Sequence, residues 1–207
     1  MMKTLLLRAG AALALIAALT ACTPKGTPPD PRTLLTAGQI SMSPQPLLLS
    51  KIDGLGGGTM IVAGQRDGVV TWRTADFLNF SYRDGLLTAT RGLSSDLMSA
   101  DVSGTHTALT GGPMQDYPRF ASYLGADDET ELRAFRCVMR NAGSDTVTSF
   151  GTLFPTTLMQ ETCYSPGLQI DNRYWLAPGG GIRRSFQWVS PDIGYLETEQ
   201  LSKNIIE

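Results

Sequence analysis

Two Asp-Gly pairs, Asp67-Gly68 and Asp84-Gly85, constrain the fold of this chain more than any other feature. Each sits between runs of β-branched and aromatic residues, at 60–64 and 69–73 for the first pair and at 77–82 and 86–90 for the second. A type I′ turn needs positive φ at both central positions, which Asp-Gly supplies, so each pair predicts a tight hairpin. The tripeptide Arg-Asp-Gly recurs at 66–68 and 83–85 with no longer similarity around it, so the hairpins belong to one meander rather than to a repeat. Further strands are expected at 131–140, 146–154, 156–164, 168–175 and 182–189, with Pro178-Gly179-Gly180-Gly181 as a turn and 195–201 as a last strand or short helix. Residues 93–98 suggest one helical turn, and the polar, glycine-rich stretch 101–118 is the least regular. About ten short strands without a sustained helical period predict an all-β fold, an antiparallel meander forming a barrel-like or sandwich domain with little helix.

The amino terminus sets the compartment. Lys3 and Arg8 precede an apolar run at 9–19, and Leu19-Thr20-Ala21-Cys22 resembles the lipobox of bacterial lipoproteins. The run is shorter than the roughly 20 apolar residues that span a bilayer and has the shape of a secretory signal. The plainer alternative is an ordinary signal peptide with a chance cysteine at the cut. On the lipoprotein reading, residues 1–21 are the signal peptide and 22–45 carry lipidated Cys22 and a Pro-rich tether. Residues 46–207 then form one β-rich domain. Pro24, Pro28, Pro29 and Pro31 predict an extended tether over 23–32, at about 3.1 Å per residue. Thr23, not Asp, follows the cysteine, which by the sorting rule of enteric lipoproteins implies the periplasmic face of the outer membrane. Removing residues 1–21 takes Lys3 and Arg8 with them, so 17 basic side chains become 15 against 19 acidic, a net charge of −4. Nothing there suits nucleic acid or a polybasic membrane surface, which leaves lipid as the membrane attachment.

Two cysteines remain, Cys137 and Cys163, and an oxidising compartment makes a bridge between them plausible. If 131–140, 146–154 and 156–164 were three meander strands, however, the cysteines would flank a shared middle strand. At about 4.8 Å per strand they would then be nearly 10 Å apart, beyond the reach of a disulfide. The alternatives are a departure from that meander or two small core residues.

Catalytic signatures are weak. His106, the single histidine, lies in Ser103-Gly104-Thr105-His106-Thr107 without a nucleophile elbow, and reads as a solvated loop residue. Neither Cys137 nor Cys163 has metal-ligand spacing. Gly54-Leu55-Gly56-Gly57-Gly58 lacks the Gly-Lys-Ser/Thr of a phosphate loop and reads as a flexible turn. The acids Asp127, Asp128, Glu129 and Glu131 could serve glycoside hydrolysis but more simply form a solvated face. No catalytic residue, metal or cofactor is assigned. Trp72, Trp175, Trp188, Tyr82, Tyr174 and Tyr195 either fill the core or present a sugar-stacking row.

Three segments in order resemble the group 4 capsule and exopolysaccharide lipoprotein family, the YjbF/GfcB type. They are Pro46-Leu-Leu-Leu-Ser50 with Met60-Ile-Val-Ala-Gly64 and Val70-Thr-Trp-Arg-Thr74, then Asp84 through Leu97 with its Arg91-Gly92-Leu93 turn, and Ser185-Phe-Gln-Trp-Val-Ser-Pro-Asp-Ile-Gly194. The Leu-Leu-Leu at 47–49 departs from the more aromatic or small-residue stretch expected there. The resemblance implies a non-enzymatic accessory lipoprotein in secretion or assembly of extracellular polysaccharide, binding export proteins or glycan. Arg91, Gly92, Leu93, Trp188, Pro191 and Gly194 become a candidate partner surface. Equally, Gly92 meets a backbone requirement and Trp188 fills the core. The other functional readings are a periplasmic carbohydrate-active enzyme using an Asp/Glu pair and, for a hollow barrel, a small-ligand carrier.

Overall fold

The computed structural model describes residues 28–112, 116–125, 129–202 and 205–206. Twelve strands form one antiparallel sheet: β1 (Leu47–Ile52), β2 (Gly56–Arg66), β3 (Val69–Arg73), β4 (Asn79–Arg83), β5 (Leu86–Arg91), β6 (Leu97–Asp101), β7 (Tyr117–Leu124), β8 (Thr130–Ser149), β9 (Thr152–Ser165), β10 (Leu168–Leu176), β11 (Ile182–Ser190) and β12 (Gly194–Gln200). The order β5-β4-β3-β2-β1-β12-β11-β10-β9-β8-β7-β6 pairs neighbours in the chain throughout, except that β12 pairs with β1. The edge strands β5 and β6 are themselves consecutive, so the sheet curls into a nearly closed barrel. Of the barrel-like or sandwich forms expected from the turn spacing, the barrel is what forms, with twelve strands where about ten were expected.

The Asp67-Gly68 and Asp84-Gly85 pairs turn with positive φ at each residue, 51° and 74° in the first and 50° and 76° in the second. Alternation then assigns the faces: Phe135, Cys137 and Met139 point inward on β8, and Ile170, Asn172 and Tyr174 on β10. Trp72, Phe80, Met60, Leu86, Leu97 and Leu196 complete a core that fills the barrel with side chains.

At the seam between β5 and β6, side chains stand in for the missing ladder. Thr90 Oγ1 donates to Asp96 Oδ1 (2.7 Å) and accepts from Leu97 N (2.9 Å), while Asp96 Oδ2 accepts from Gly92 N (2.9 Å). Arg91 donates to the carbonyls of Leu97 and Met98. From β11, Gln187 reaches β5, accepting from Leu87 N (2.9 Å) and donating to Gly85 O (3.0 Å). Edge backbone groups that would invite another chain are thus satisfied internally.

Several local expectations are corrected. Residues 131–140 and 146–154 are not separate strands. Thr130–Ser149 is a single strand with a bulge between Asn141 and Ser144, and the turn comes at Phe150 and Gly151, whose φ values of 46° and 83° make it another hairpin. Cys137 and Cys163 are therefore direct cross-strand partners, with Cα atoms 4.0 Å apart, and they are joined by a disulfide. Residues 93–98 hold no helical turn but lead into β6, and the irregular stretch contains the helix α2 (Ser103–Gly111). Its buried Thr105 and Ala108, three apart, share the face turned to the barrel, while its glycines and threonines hide the helical signal. The glycine run 54–58 does turn, at Gly54 and Leu55, and from Gly56 it enters β2, where close approach leaves little room for side chains. A Cβ on Gly57 would sit 2.1 Å from Ser50 O, and one on Gly56 would meet Pro28 at 3.0 Å.

The second half of the expected tether is docked rather than free. Asp30 pairs with Lys51 (3.2 Å), Pro31–Thr33 forms a 3₁₀ turn, and Arg32 Nη2 donates to Glu197 (2.7 Å) and Glu199 (2.8 Å) on the outer wall of β12. The short helix α1 (Ala37–Ser41), with a Thr36/Gln39 capping box, then leads to β1. The chain thus arrives at the rim that holds the β1–β2, β3–β4, β5–β6 and β11–β12 connections, here termed the entry rim, and climbs the wall to the opposite rim.

Replacing both Cys137 and Cys163 by alanine should lower stability by about 2–4 kcal/mol, since 26 residues of separation close a loop of moderate length. The denaturant midpoint of the oxidised protein against that of the double variant checks this. Equal midpoints would show that the bridge adds nothing to the hairpin.

Candidate functional site

The six large aromatics divide by strand alternation. Trp72, Tyr82 and Tyr174 are buried in the core, whereas Trp175, Trp188 and Tyr195 are half-buried on the side of the sheet where β10, β11 and β12 meet. There they join Phe186, Arg173 and Arg184 in a ladder. Arg184 and Arg173 each lie near the Trp175 ring (5.9 and 5.7 Å), Arg173 lies 4.5 Å from the Phe186 centroid, Phe186 stacks on Tyr195 (4.4 Å, 11°), and Trp188 meets Tyr195 edge-on (5.1 Å, 74°). Trp188 also packs against the core at the bulge following it in β11.

Polar groups hold the ladder in place. Trp175 Nε1 donates to Asp145 Oδ2 (2.7 Å), and this bond, with one from Thr146 N, keeps the Asp145 carboxyl below the usual carboxylate range. Tyr195 Oη accepts from Asp171 N (2.8 Å), and burial pushes its phenol pKa up. Beside the rings is a depression of about 350 Å³ lined by Arg140, Gln160, Thr162, Asp171, Arg173, Phe186 and Tyr195. Two aromatic rings, Phe186 and Tyr195, among charged, hydroxyl and amide groups, with a volume at the lower end of the roughly 300–1,000 Å³ typical of ligand sites, can hold a small polar ring.

Of the residues nominated from sequence, Arg91, Gly92, Leu93, Pro191 and Gly194 come together on the entry rim, whereas Trp188 stands in the ladder on the wall. Ser190 Oγ donates to Ser95 O (2.7 Å), which ties the Arg91-Gly92-Leu93 loop to the turn containing Pro191 and Gly194. Gly92 and Gly194 have φ of 99° and 76°, and a Cβ on Gly92 would meet Leu78 Cδ2 at 3.0 Å. Arg91 is engaged at the seam, Leu93 packs on the core and Pro191 is exposed. Cys22 lies outside the described residues, as do Asp127 and Asp128. Glu129 and Glu131 are exposed. His106 is on α2 rather than in a loop, half-exposed, with Nε2 3.4 Å from Asp84 Oδ2.

Sequence reasoning missed a buried charge cluster. Glu161 on β9 is fully buried and accepts from Thr105 Oγ1 (2.5 Å) and Tyr117 Oη (2.8 Å) at one oxygen, and from Asn172 Nδ2 (2.7 Å) and Tyr174 Oη (2.9 Å) at the other. Arg119, also buried, lies 3.6 Å away. Burial alone would raise the Glu161 pKa, but Arg119 and the hydrogen bonds from Thr105, Asn172 and Tyr117 outweigh it and hold the carboxyl low. A carboxylate held ionised in this way is unsuited to the general-acid role of a glycosidase pair. The Cys137 and Cys163 sulfurs lie within 4.8 Å of the same carboxylate, but as a disulfide they offer no thiolate to a metal. The signal was present in the alternation, which places Glu161 on the face of Met159 and Cys163, and Arg119 on that of Tyr117 and Ala121.

These features define a side-chain-filled β-barrel whose accessible chemistry lies on its wall and rims. The chain belongs to the family described as group 4 capsule polysaccharide lipoprotein, gfcB, YjbF, which it matches over residues 12–201. Its fold is similar to that of the hypothetical lipoprotein YmcC from Escherichia coli (K12), with a TM-score of 0.72, 16% identity, and coverage of 84% of this chain and 94% of that one. No curated protein matches it in sequence. Membership makes it a lipoprotein of a capsule-related family, and among the described residues no helix is long and apolar enough to cross a membrane.

Proposed function

We propose that the protein is a non-enzymatic accessory lipoprotein of extracellular polysaccharide secretion, acylated at Cys22, held on the periplasmic face of the outer membrane, and acting by binding glycan through the β10–β12 wall. The observation that carries this reading is the Trp175–Arg173–Phe186–Tyr195 ladder beside the depression edged by Arg140, Gln160 and Asp171. Aromatic rings accept the apolar faces of sugars, and the surrounding donors and acceptors fit hydroxyl groups. The family's capsule association supports polymer as the ligand and the polysaccharide machinery as the setting. Trp72, Phe80, Met60 and Tyr174 fill the barrel interior, so binding falls to the wall and the rims.

The test is affinity electrophoresis through gels containing the host's secreted polymer. Trp175→Ala combined with Phe186→Ala should weaken retardation at least about tenfold, equivalent to about 1.4 kcal/mol, while circular dichroism shows an intact fold. Unchanged retardation by polymer would remove this wall as the binding site.

A further inference from the structure

The anchor and the entry rim point to a second contact, one that rests on acylation of Cys22. Pro28, the first described residue, packs on Gly56 at the start of β2, and the Asp30–Lys51 and Arg32–Glu197 pairs fix the segment that follows. Only five residues, 23–27, separate Cys22 from Pro28. At about 3.6 Å per step, fully extended chain carries Pro28 no more than roughly 22 Å from the acylated residue. The anchor therefore emerges at the entry rim and keeps that rim near the leaflet.

Two large apolar side chains project from the same rim. Leu55, in the β1–β2 turn, is 61% exposed, and Phe77, in the β3–β4 loop, is 72% exposed. Phe77 has φ of 68°, a left-handed conformation costly for a bulky side chain, and the loop is closed around it by Phe77 N to Thr74 O (3.1 Å) and Thr74 N to Leu78 O (3.0 Å). Neither burial nor local geometry accounts for an aromatic there, whereas presentation of the ring to an apolar phase does. Arg73 sits 5.6 Å from its centroid, a cation beside an aromatic as at membrane interfaces. Exposed Asp53, Asp76, Glu129 and Asp192 more than offset Lys51, Arg73 and Arg91 on this rim, so the contact is apolar and needs no anionic lipid.

We propose that the entry rim docks on the leaflet holding the acylated Cys22, with Phe77 and Leu55 entering its interfacial region, and that the opposite rim points away from the membrane. The opposite rim also exposes apolar side chains, Met42 at 76% and Leu153 at 67%, and Leu153 serves as the control.

The experiment uses full-length lipidated protein reconstituted in phosphatidylcholine vesicles containing brominated lipid, with single Phe77→Trp and Leu153→Trp variants read against the wild type. Emission of the indole added at position 77 should be largely lost on vesicles, and that of the indole added at 153 retained. Protein that floats with vesicles but shows no quenching at 77, or stronger quenching at 153, overturns the docking and leaves the anchor intact. Protein that fails to float overturns the anchor assignment and the docking with it.

Discussion

Glu161→Gln is expected to destabilise the barrel by about 3–5 kcal/mol, the usual cost of removing one member of a buried ion pair. Both Glu161 oxygens accept two hydrogen bonds each, from Thr105 and Tyr117 and from Asn172 and Tyr174. An amide keeps one acceptor oxygen and turns an NH₂ toward donors at the other. It also leaves the Arg119 guanidinium buried without a counter-charge, 3.6 Å from where the carboxylate stood. For a chain of this size the melting temperature should fall by roughly 6–20 °C. Combining Glu161→Gln with Arg119→Met should recover much of the loss, because the stranded charge is then gone. A single variant melting at the wild-type temperature would show that the cluster contributes no net stability.

The same carboxylate gives a pH dependence of definite sign. Its folded pKa is held below the ordinary glutamate value of 4.5, so between the two values the unfolded state binds the extra proton. The stabilisation is fully present above the unfolded value and is lost as pH falls through the folded one. Melting temperatures followed downward from neutral pH should therefore drop on the acid side, and less steeply in the Glu161→Gln variant.

Cys22→Ser should be all-or-none for membrane attachment. Stable anchoring needs two or more acyl chains, at about 0.8 kcal/mol per buried CH₂, and serine offers no thiol to carry the first. The mature chain carries 15 basic side chains against 19 acidic ones, and among the described residues no helix can span the bilayer. Two exposed apolar side chains at the entry rim are too little to hold the domain on their own. Unprocessed precursor without lipid is the expected product, detected by mass spectrometry. Recovery of lipidated mature protein from the serine variant would refute the assignment.

How much of this was legible in the residues varied with the physics behind each signal. Asp67-Gly68 and Asp84-Gly85 announced their turns because few other residues accept both positive φ values. Phe150-Gly151 makes a similar turn, but phenylalanine does not advertise a left-handed backbone, and Asn141 to Gly143 imitated a turn where only a bulge exists. That exchange split β8 in two and put the cysteines one strand too far apart. The helix α2 was hidden by its threonines and glycines. On the wall, alternation along β10 sorts Tyr174 inward and Trp175 outward, but which strand lies beside it depends on the sheet order. Arg173, Phe186 and Tyr195 come together only once β10, β11 and β12 are paired. The seam residues Thr90, Arg91 and Asp96 were equally unreadable, because their role exists only where the barrel fails to close by its backbone.

A role as an anchored accessory of polysaccharide secretion is read out by the amount of secreted polymer in cells lacking the protein. Secretion should fall and the wild-type chain should restore it, while neither Cys22→Ser nor the Trp175→Ala/Phe186→Ala variant does. Undiminished secretion in the deletion strain, or full restoration by both variants, would contradict it.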